Sequence, residues 1–316
     1  MFELLLSFLF LIFSLIVLSY SSKIVLESAE KLAQYFGFSK LTIGFILISF
    51  LTSLPELSIA IFSSSTNNNN ISLGDLLGSN VTNIALVLGT VLYFSAKDIK
   101  LNKNRINQIL LYIFISIVPI LFFIDSFLSF TDGLILILFY LFFLKQLLNS
   151  NERIIIENHI DKREAAKQFL ILLFSILLVL LSSEFVVNNA VQIAKELNLF
   201  QSFLGGTIVA FSTSIPELAI TISAIRKRFI DIGLGNLIGS NVVNITLLLG
   251  LNVIINPFAP NIEIATTIFS FIFITSGYIV FKLLTSNKLV KNDGFILLAI
   301  YLVYLVMLSS VQIGLS

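Results

Sequence analysis

Long apolar segments separated by short polar stretches run along the whole chain. A membrane crossing needs about 20 mostly apolar residues, and ten segments of this kind can be counted. Their approximate bounds are 3–20, 41–63, 71–95, 107–124, 127–147, 168–187, 203–225, 232–256, 264–283 and 294–314. No Lys or Arg precedes the first segment and no small-residue cleavage site follows it, so we expect a retained helix rather than a signal peptide. The pattern predicts an all-α integral membrane protein with ten transmembrane helices.

The composition supports this prediction and excludes several classes of protein. Hydrophobic residues make up 57% of the 316 residues and charged residues only 12%, which excludes a soluble enzyme or a nucleic-acid-binding protein. The formal net charge of +1 gives no reason to expect a polyanionic partner. Because there is no cysteine, disulfides, thiolate metal sites and thiol catalysis are excluded. The sequence indicates no resident cofactor and no protein partner; the lipid bilayer is the expected surrounding.

The basic residues predict the orientation of the chain. Of the 19 Lys and Arg residues, 18 lie in the loops that follow helices 1, 3, 5, 7 and 9, and only Lys195 lies on the opposite side. Loops rich in Lys and Arg face the cytoplasm. We therefore expect a multi-pass protein of the plasma membrane with both termini outside.

The chain contains an internal repeat. A shift of 161 residues aligns residues 51–56 with 212–217, and residues 78–84 with 239–245, without gaps. The predicted units are a first five-helix repeat (1–148), a cytoplasmic linker loop (149–167) and a second five-helix repeat (168–316). Because five is an odd number, the second repeat enters the membrane from the opposite side. Inverted-topology repeats are typical of secondary transporters, whose binding site lies near the midplane where the repeats meet.

Two acidic residues occupy equivalent positions in the middle of apolar segments. Glu56 and Glu217 each follow a proline within the repeated motif. A carboxylate at this depth costs several kcal/mol unless it is compensated. No segment supplies a basic residue at the same depth, so the missing partner must be a proton or a bound cation.

The other polar residues of the motifs complete a shell of oxygen atoms. The proline before each glutamate lacks an N–H, so carbonyl groups in the preceding turn are released from helical hydrogen bonding. Thr52 and Ser53 lie about one turn before the first glutamate, and Ser79 and Asn83 lie four residues apart on the next helix. The second repeat doubles this set. Carboxylate, amide, hydroxyl and carbonyl oxygens suit hard cations such as Ca²⁺ or Na⁺ rather than zinc or copper.

The two motifs resemble those of the sodium/calcium exchanger family. Its alpha repeats carry a G-T-S-[LI]-P-[ED] stretch followed by a G-S-x-x-x-[ND] stretch, and both occur twice here in that order. The resemblance implies that the transported ions are Ca²⁺ and Na⁺ and that helices 1 and 6 slide across the core. It implies side-chain ligands at Thr52, Ser53, Glu56, Ser79, Asn83, Thr213, Ser214, Glu217, Ser240 and Asn244, with backbone carbonyls near Ser49 and Ala210.

The sequence departs from the family pattern at three positions. Leu51 and Ser212 replace the glycine that usually opens the first motif, which makes close helix approach less certain there. Asn244 stands where potassium-dependent relatives have an aspartate, which favours exchange without K⁺. With asparagine at positions 83 and 244, the two glutamates give an expected site charge of about −2. Three Na⁺ per Ca²⁺, the number implied by the resemblance, would make exchange electrogenic.

Sequence alone leaves other functions open. The leading hypothesis is Na⁺/Ca²⁺ antiport, and H⁺/Ca²⁺ antiport is the alternative because two close acids can exchange one Ca²⁺ for two protons. A channel is a second class, which a saturable flux that needs a counter-ion would exclude. An intramembrane enzyme is a third class, but His159, the one histidine, lies in a polar loop.

Overall fold

The computed structural model describes residues 2–37, 40–65, 67, 69–95, 98–101, 103–148, 161–196 and 209–315. The first half contains α1 (Phe2–Phe36), α2 (Lys40–Ile43), α3 (Ser49–Thr52), α4 (Leu54–Ser65), α5 (Asn69–Val81), α6 (Gly89–Phe94), β1 (Ile99–Lys100), α7 (Lys103–Ile117) and α8 (Phe130–Leu148). The second half contains α9 (Lys162–Glu196), α10 (Val209–Thr213), α11 (Ile215–Arg226), α12 (Ile230–Val242), α13 (Leu249–Ile255), α14 (Ile262–Ser286), β2 (Lys288–Leu289) and α15 (Lys291–Leu315).

Within these described ranges, eight helical segments are long and apolar enough to cross a membrane. A ninth is obtained if Leu41–Thr52 and Leu54–Ser65, which meet at an angle of 44°, form one bent span. Part of the predicted segment 203–225 lies outside the described residues. The structure therefore supports an all-helical membrane protein, and the count of ten and the inverted repeat remain predictions.

Two helices are longer than the apolar pattern predicted. α1 continues to Phe36, although its apolar segment ends near residue 20, because small and apolar residues such as Val25 and Ala29 stay fully buried along the same helix. α9 already begins at Lys162, inside the predicted linker loop 149–167. The earlier residues of that loop, 149–160, lie outside the described residues.

The two halves share an order of local structure. In each half a short helix ends at a serine, Ser53 or Ser214, and a new helix begins at the next residue. In each half the following helix then changes to π-helical turns, Thr82–Leu88 in the first and Val243–Leu248 in the second. Another π-helical segment, Gly44–Ile48, precedes α3. Local π-helical turns often occur at functional sites.

α1 and α9 pack together along much of their length, and α1 also contacts α11. Their contact is an apolar cluster that includes the fully buried Leu26, Ala29, Leu172 and Val179. Leu51, which replaces the motif glycine, packs against this cluster, and so its side chain fills the space between α3 and the α1–α9 pair. The remaining helices build a separate bundle, in which α15 packs on α6 and α13 packs on α8.

The polar residues outside the bundle differ between the two sets of loops. Loops predicted to face inward carry ion pairs such as Arg105–Asp231 at 2.6 Å and Lys288–Asp98 at 2.9 Å. The antiparallel pair β1–β2 joins two of these loops. The opposite loops are joined by amide contacts, in which Asn69 Nδ2 donates to the carbonyl of Asn256 at 2.6 Å.

Candidate functional site

Both conserved-length halves of the repeat place a glutamate at the start of a helix, directly after a break. α3 ends at Ser53, whose ψ of 13° leaves the helical range, and Ser214 has a ψ of 0° at the equivalent break. The prolines that follow have no N–H to donate to the preceding turn. Glu56 and Glu217 therefore lie in the first turns of α4 and α11, where exposed backbone N–H groups favour a negative charge.

The two glutamates are buried but only partly hydrogen-bonded. Both are 0% exposed. Neither carboxylate oxygen of Glu56 has a hydrogen-bond partner among the described residues. Glu217 Oε1 accepts a hydrogen bond from Ser240 at 3.1 Å, whereas Oε2 has no partner in the same part of the chain. The ion pairs found among the described residues include neither glutamate.

Threonines at the two breaks form reciprocal contacts between the halves. Thr52 Oγ1 lies 3.2 Å from Asn236 Oδ1 and 3.5 Å from Ser240 Oγ. At the equivalent break, Thr213 Oγ1 lies 2.8 Å from an oxygen of Asp75 and 3.2 Å from Ser79 Oγ. These partners are related by the same shift of 161 residues. Each half therefore contributes its helix break to the polar helix of the other half.

Glycines allow the helices to approach closely at this point. A Cβ atom on Gly239 would lie 2.6 Å from Ser49 Oγ, and one on Gly78 would lie 3.0 Å from the Ala210 Cβ. In lipid, small residues permit such backbone contact. The expectation that Gly74 also marks a close approach is wrong, because a Cβ there would meet nothing within 4 Å.

Two predicted amide ligands lie in the π-helical turns. Asn83 donates from Nδ2 to Asn241 Oδ1 at 3.0 Å, which leaves its Oδ1 without a partner among the described residues. Neither amide atom of Asn244 has a partner in that part of the chain. Both asparagines are 0% exposed, so these unpaired carbonyl oxygens are sealed from bulk solvent.

The predicted serine hydroxyls and backbone carbonyls have different surroundings. Ser53 Oγ and Ser214 Oγ are buried and have no partner in the described part of the chain. Ser49 donates its hydroxyl to the Phe45 carbonyl, and its own carbonyl accepts the Ser53 N–H at 3.0 Å. The Ala210 carbonyl accepts from Thr213 at 3.3 Å. These two carbonyls are already hydrogen-bonded, and each keeps room for a further contact.

All twelve residues predicted as ligands are buried in the structure. The reciprocal contacts and the Ser240–Glu217 bond bring together Thr52, Ser79, Ala210, Thr213, Glu217 and Ser240 directly. Ser49 joins them through its contact with Gly239 and its bond to Thr52. Ser53, Glu56, Asn83, Ser214 and Asn244 are placed beside them by their helices and hold the unpaired polar atoms.

Sequence reasoning missed two further members of this polar layer, Asp75 and Asn236. Both are buried, and each accepts a hydrogen bond from the threonine of the opposite break. Asp75 also interacts electrostatically with Glu56 and Glu217. An acidic residue inside the apolar segment 71–95 was a usable signal, by the same reasoning that selected the glutamates.

The arrangement is suited to a hard cation held by mixed oxygen ligands. Among the described residues, no group of three or more His, Cys, Asp or Glu side chains is close enough to hold a metal ion by itself. Instead, carboxylate, hydroxyl and amide oxygens from both halves lie unpaired at the same level. Each buried unpaired group costs about 1–3 kcal/mol. A bound cation would satisfy several of them at once.

A buried oxygen-lined site between two similar halves of a helical membrane bundle defines the class of polytopic cation transporters. A sequence profile described as sodium/calcium exchanger protein matches residues 6–147 and 167–310. The chain therefore belongs to the sodium/calcium exchanger family, which confirms the resemblance drawn from the motifs.

Individual relatives cover nearly the whole chain. An uncharacterised membrane protein of Methanocaldococcus jannaschii is 30% identical over 93% of this chain and 95% of its own length. The sodium/calcium exchanger MaX1 of Methanosarcina acetivorans is 28% identical over 96% of this chain and 98% of its own length. These relatives and the structural neighbours are membrane proteins and exchangers, not enzymes.

The fold is similar to solved structures of the sodium-calcium exchanger NCX_Mj. One of them, soaked with 10 mM Na⁺ and zero Ca²⁺, has a TM-score of 0.83 at 28% identity and covers 95% of this chain and 98% of its own. Another, soaked with 2.5 mM Na⁺ and 0.1 mM Ca²⁺, has a TM-score of 0.82. Those structures describe extracellular ion exchange and occlusion of the binding site in NCX_Mj.

Proposed function

We propose that this protein is a secondary active antiporter that exchanges Na⁺ for Ca²⁺ by alternating access. The observation that carries the proposal is the set of buried carboxylate, amide and hydroxyl oxygens that have no hydrogen-bond partner among the described residues. Membership of the sodium/calcium exchanger family supports the choice of ions. The proposed ligands are the side chains of Thr52, Ser53, Glu56, Ser79, Asn83, Thr213, Ser214, Glu217, Ser240 and Asn244, with carbonyls at Ser49 and Ala210.

The two glutamates are the main source of negative charge for the bound ion. Ca²⁺ takes six to eight oxygen ligands in flexible geometry, and the proposed set supplies enough oxygens from both halves. Glu56 offers two unpaired oxygens, and Glu217 offers one while Ser240 holds the other in place. Na⁺ would use the same oxygens. Because the two ions compete for one set of ligands, the occupied carrier moves either Ca²⁺ or Na⁺, and the fluxes are coupled.

We propose that α1 and α9 move together across the rest of the bundle. They pack on one another through the apolar cluster around Leu26 and Val179, and an apolar contact slides at little cost in hydrogen bonds. Lys227, directly after α11, pairs with Glu27 on α1, and such a pair would have to break or exchange partners during the movement. The proposal assumes ten helices in two inverted repeats, with both termini outside the plasma membrane.

The exchange is proposed to be electrogenic and independent of K⁺. Three Na⁺ for one Ca²⁺ moves one net charge in each cycle, which is worth about 2.3 kcal/mol per 100 mV of membrane potential. With Na⁺ entering, an inside-negative potential then favours Ca²⁺ extrusion. Asn244 is buried and carries no charge, so it gives no additional carboxylate for K⁺ in the second half.

H⁺/Ca²⁺ antiport remains the second candidate. The putative antiporter CaxA of Alkalimonas amylolytica is 29% identical over 78% of this chain, and its name does not specify Na⁺. Buried carboxylates without basic partners can also bind protons in place of Na⁺.

The test is uptake of ⁴⁵Ca²⁺ into proteoliposomes loaded with Na⁺. We expect rapid, saturable uptake when Na⁺ is inside and choline is outside, and only background uptake when choline replaces internal Na⁺. Uptake that follows an imposed pH gradient and ignores Na⁺ would support H⁺/Ca²⁺ antiport instead. A flux that does not saturate and needs no counter-ion would indicate a channel.

A further inference from the structure

Asp75 gives the site a third carboxylate that belongs to only one of the two halves. It lies on α5, one turn before Ser79, and its side chain is 3% exposed. The equivalent residue in the second half is Asn236, which is 0% exposed. A carboxylate therefore occupies one copy of this position and a neutral amide occupies the other.

The Asp75 carboxylate is connected to the proposed ion ligands. Its Oδ1 accepts a hydrogen bond from Thr213 at 2.8 Å, and the Thr213 oxygen lies 3.2 Å from Ser79 Oγ. Since Thr213 has a single hydroxyl proton, donation to Asp75 leaves its oxygen to accept from Ser79. Asp75 thus fixes the direction of a hydrogen-bond chain that runs through two proposed ligands.

No nearby base compensates this carboxylate in the described part of the chain. Its Oδ2 has no hydrogen-bond partner there, and none of the ion pairs formed by the described residues includes Asp75. It interacts electrostatically with Glu56 and Glu217. A buried carboxylate with an unpaired oxygen beside the cation ligands has the transported cations as its available counter-charge.

We propose that Asp75 is an ionised member of the transport site, so that the empty site carries a charge of −3 rather than −2. This inference rests on the proposed Na⁺/Ca²⁺ exchange and on three Na⁺ per Ca²⁺. With three carboxylates, the Ca²⁺-loaded carrier has a charge of −1 and the carrier loaded with three Na⁺ is neutral. With the two glutamates alone, the Ca²⁺-loaded carrier would be neutral and the Na⁺-loaded carrier would have a charge of +1. Asp75 therefore determines which half of the cycle responds to voltage.

The test measures each half of the cycle separately in proteoliposomes whose potential is set with K⁺ and valinomycin. Exchange of ⁴⁵Ca²⁺ for unlabelled Ca²⁺, without Na⁺, reports the Ca²⁺-loaded carrier, and exchange of ²²Na⁺ for Na⁺ reports the other form. One charge crossing the whole field changes an equilibrium by up to about 50-fold per 100 mV. We expect the Ca²⁺ self-exchange rate of the wild type to change several-fold over 100 mV, while its Na⁺ self-exchange rate stays constant.

The variant Asp75→Asn should reverse this pattern, with Na⁺ self-exchange sensitive to voltage and Ca²⁺ self-exchange insensitive. The double variant Asp75→Asn/Asn236→Asp moves the carboxylate to the other half and should restore the wild-type pattern. Asp125→Asn, in an exposed loop, is the matched control and should behave like the wild type.

Two results would overturn the inference. One is an Asp75→Asn variant with the voltage profile of the wild type, which would show that Asp75 is neutral or outside the field. The other applies if Asp75→Asn does not fold. Asn236→Asp, which adds a carboxylate, should then make Na⁺ self-exchange sensitive to voltage, and an unchanged profile contradicts the inference. Absence of any Na⁺-driven ⁴⁵Ca²⁺ uptake by the wild type would instead refute the proposed function.

Discussion

Replacing either buried glutamate by glutamine removes a charge while nearly preserving the shape of the side chain. Glu56 and Glu217 are 0% exposed, so bulk water cannot replace the missing charge. In Glu217→Gln, the amide oxygen can still accept the hydrogen bond that Ser240 donates at 3.1 Å, so the local scaffold is retained. In Glu56→Gln, no described hydrogen bond to the side chain is lost, because the carboxylate oxygens have no partner there. Both variants should therefore insert and fold.

The size of the effect follows from the burial of the site. Removing one partner of a buried charge pair costs about 3–5 kcal/mol, because the other charge is left uncompensated. At about 1.4 kcal/mol per factor of ten, Ca²⁺ affinity should fall roughly 150- to 5,000-fold in each variant. At micromolar Ca²⁺, the rate of Na⁺-driven ⁴⁵Ca²⁺ uptake should fall to background in both.

The matched control is Glu263→Gln, an exposed acid in the first turn of α14. Its uptake should equal that of the wild type at equal protein content, which is checked by size-exclusion chromatography of the solubilised protein. Uptake at close to the normal rate by Glu56→Gln or Glu217→Gln would refute the proposed site. Loss of uptake together with loss of the folded peak would not count in its favour.

Three further outcomes are expected. A single cysteine at Asp125 should react with an impermeant maleimide from outside, and one at Lys103 only after permeabilisation; equal labelling of both in intact cells would contradict the predicted orientation. Gly239→Ala places a methyl group 2.6 Å from Ser49 Oγ and should lower thermal stability by about 1–3 kcal/mol, whereas Gly277→Ala, with nothing within 4 Å, should not. Replacing all K⁺ by choline should leave Na⁺-driven ⁴⁵Ca²⁺ uptake unchanged; a requirement for K⁺ would disprove K⁺-independence.

The sequence was informative about the site where the physical rule was local and the repeat doubled the signal. Acids without basic partners at membrane depth, a proline before each of them and a constant shift of 161 residues were sufficient to select Glu56 and Glu217. The structure places both at helix starts after a break, as the prolines require.

Other features could not be read from these patterns. Hydrophobic periodicity does not distinguish a π-helical turn from an α-helical one, so the surroundings of Asn83 and Asn244 appeared only in three dimensions. The motif glycine replaced by Leu51 was expected to weaken helix approach, but its side chain packs toward α1 and α9, a contact between distant parts of the chain. Asp75 was missed because the search followed residues that were alike in both halves, and its equivalent is Asn236.

The central claim is that Na⁺ and Ca²⁺ share one site and move in opposite directions. The most direct measurement is accumulation of ²²Na⁺ in proteoliposomes that contain Ca²⁺ and are diluted into medium without Ca²⁺, with equal Na⁺ on both sides. Exchange predicts that Ca²⁺ efflux drives internal Na⁺ above the external concentration, and that the rise is absent in vesicles without Ca²⁺ or with Glu56→Gln. If ²²Na⁺ only equilibrates across the membrane while Ca²⁺ leaves, the two ions are not coupled, and the account is contradicted.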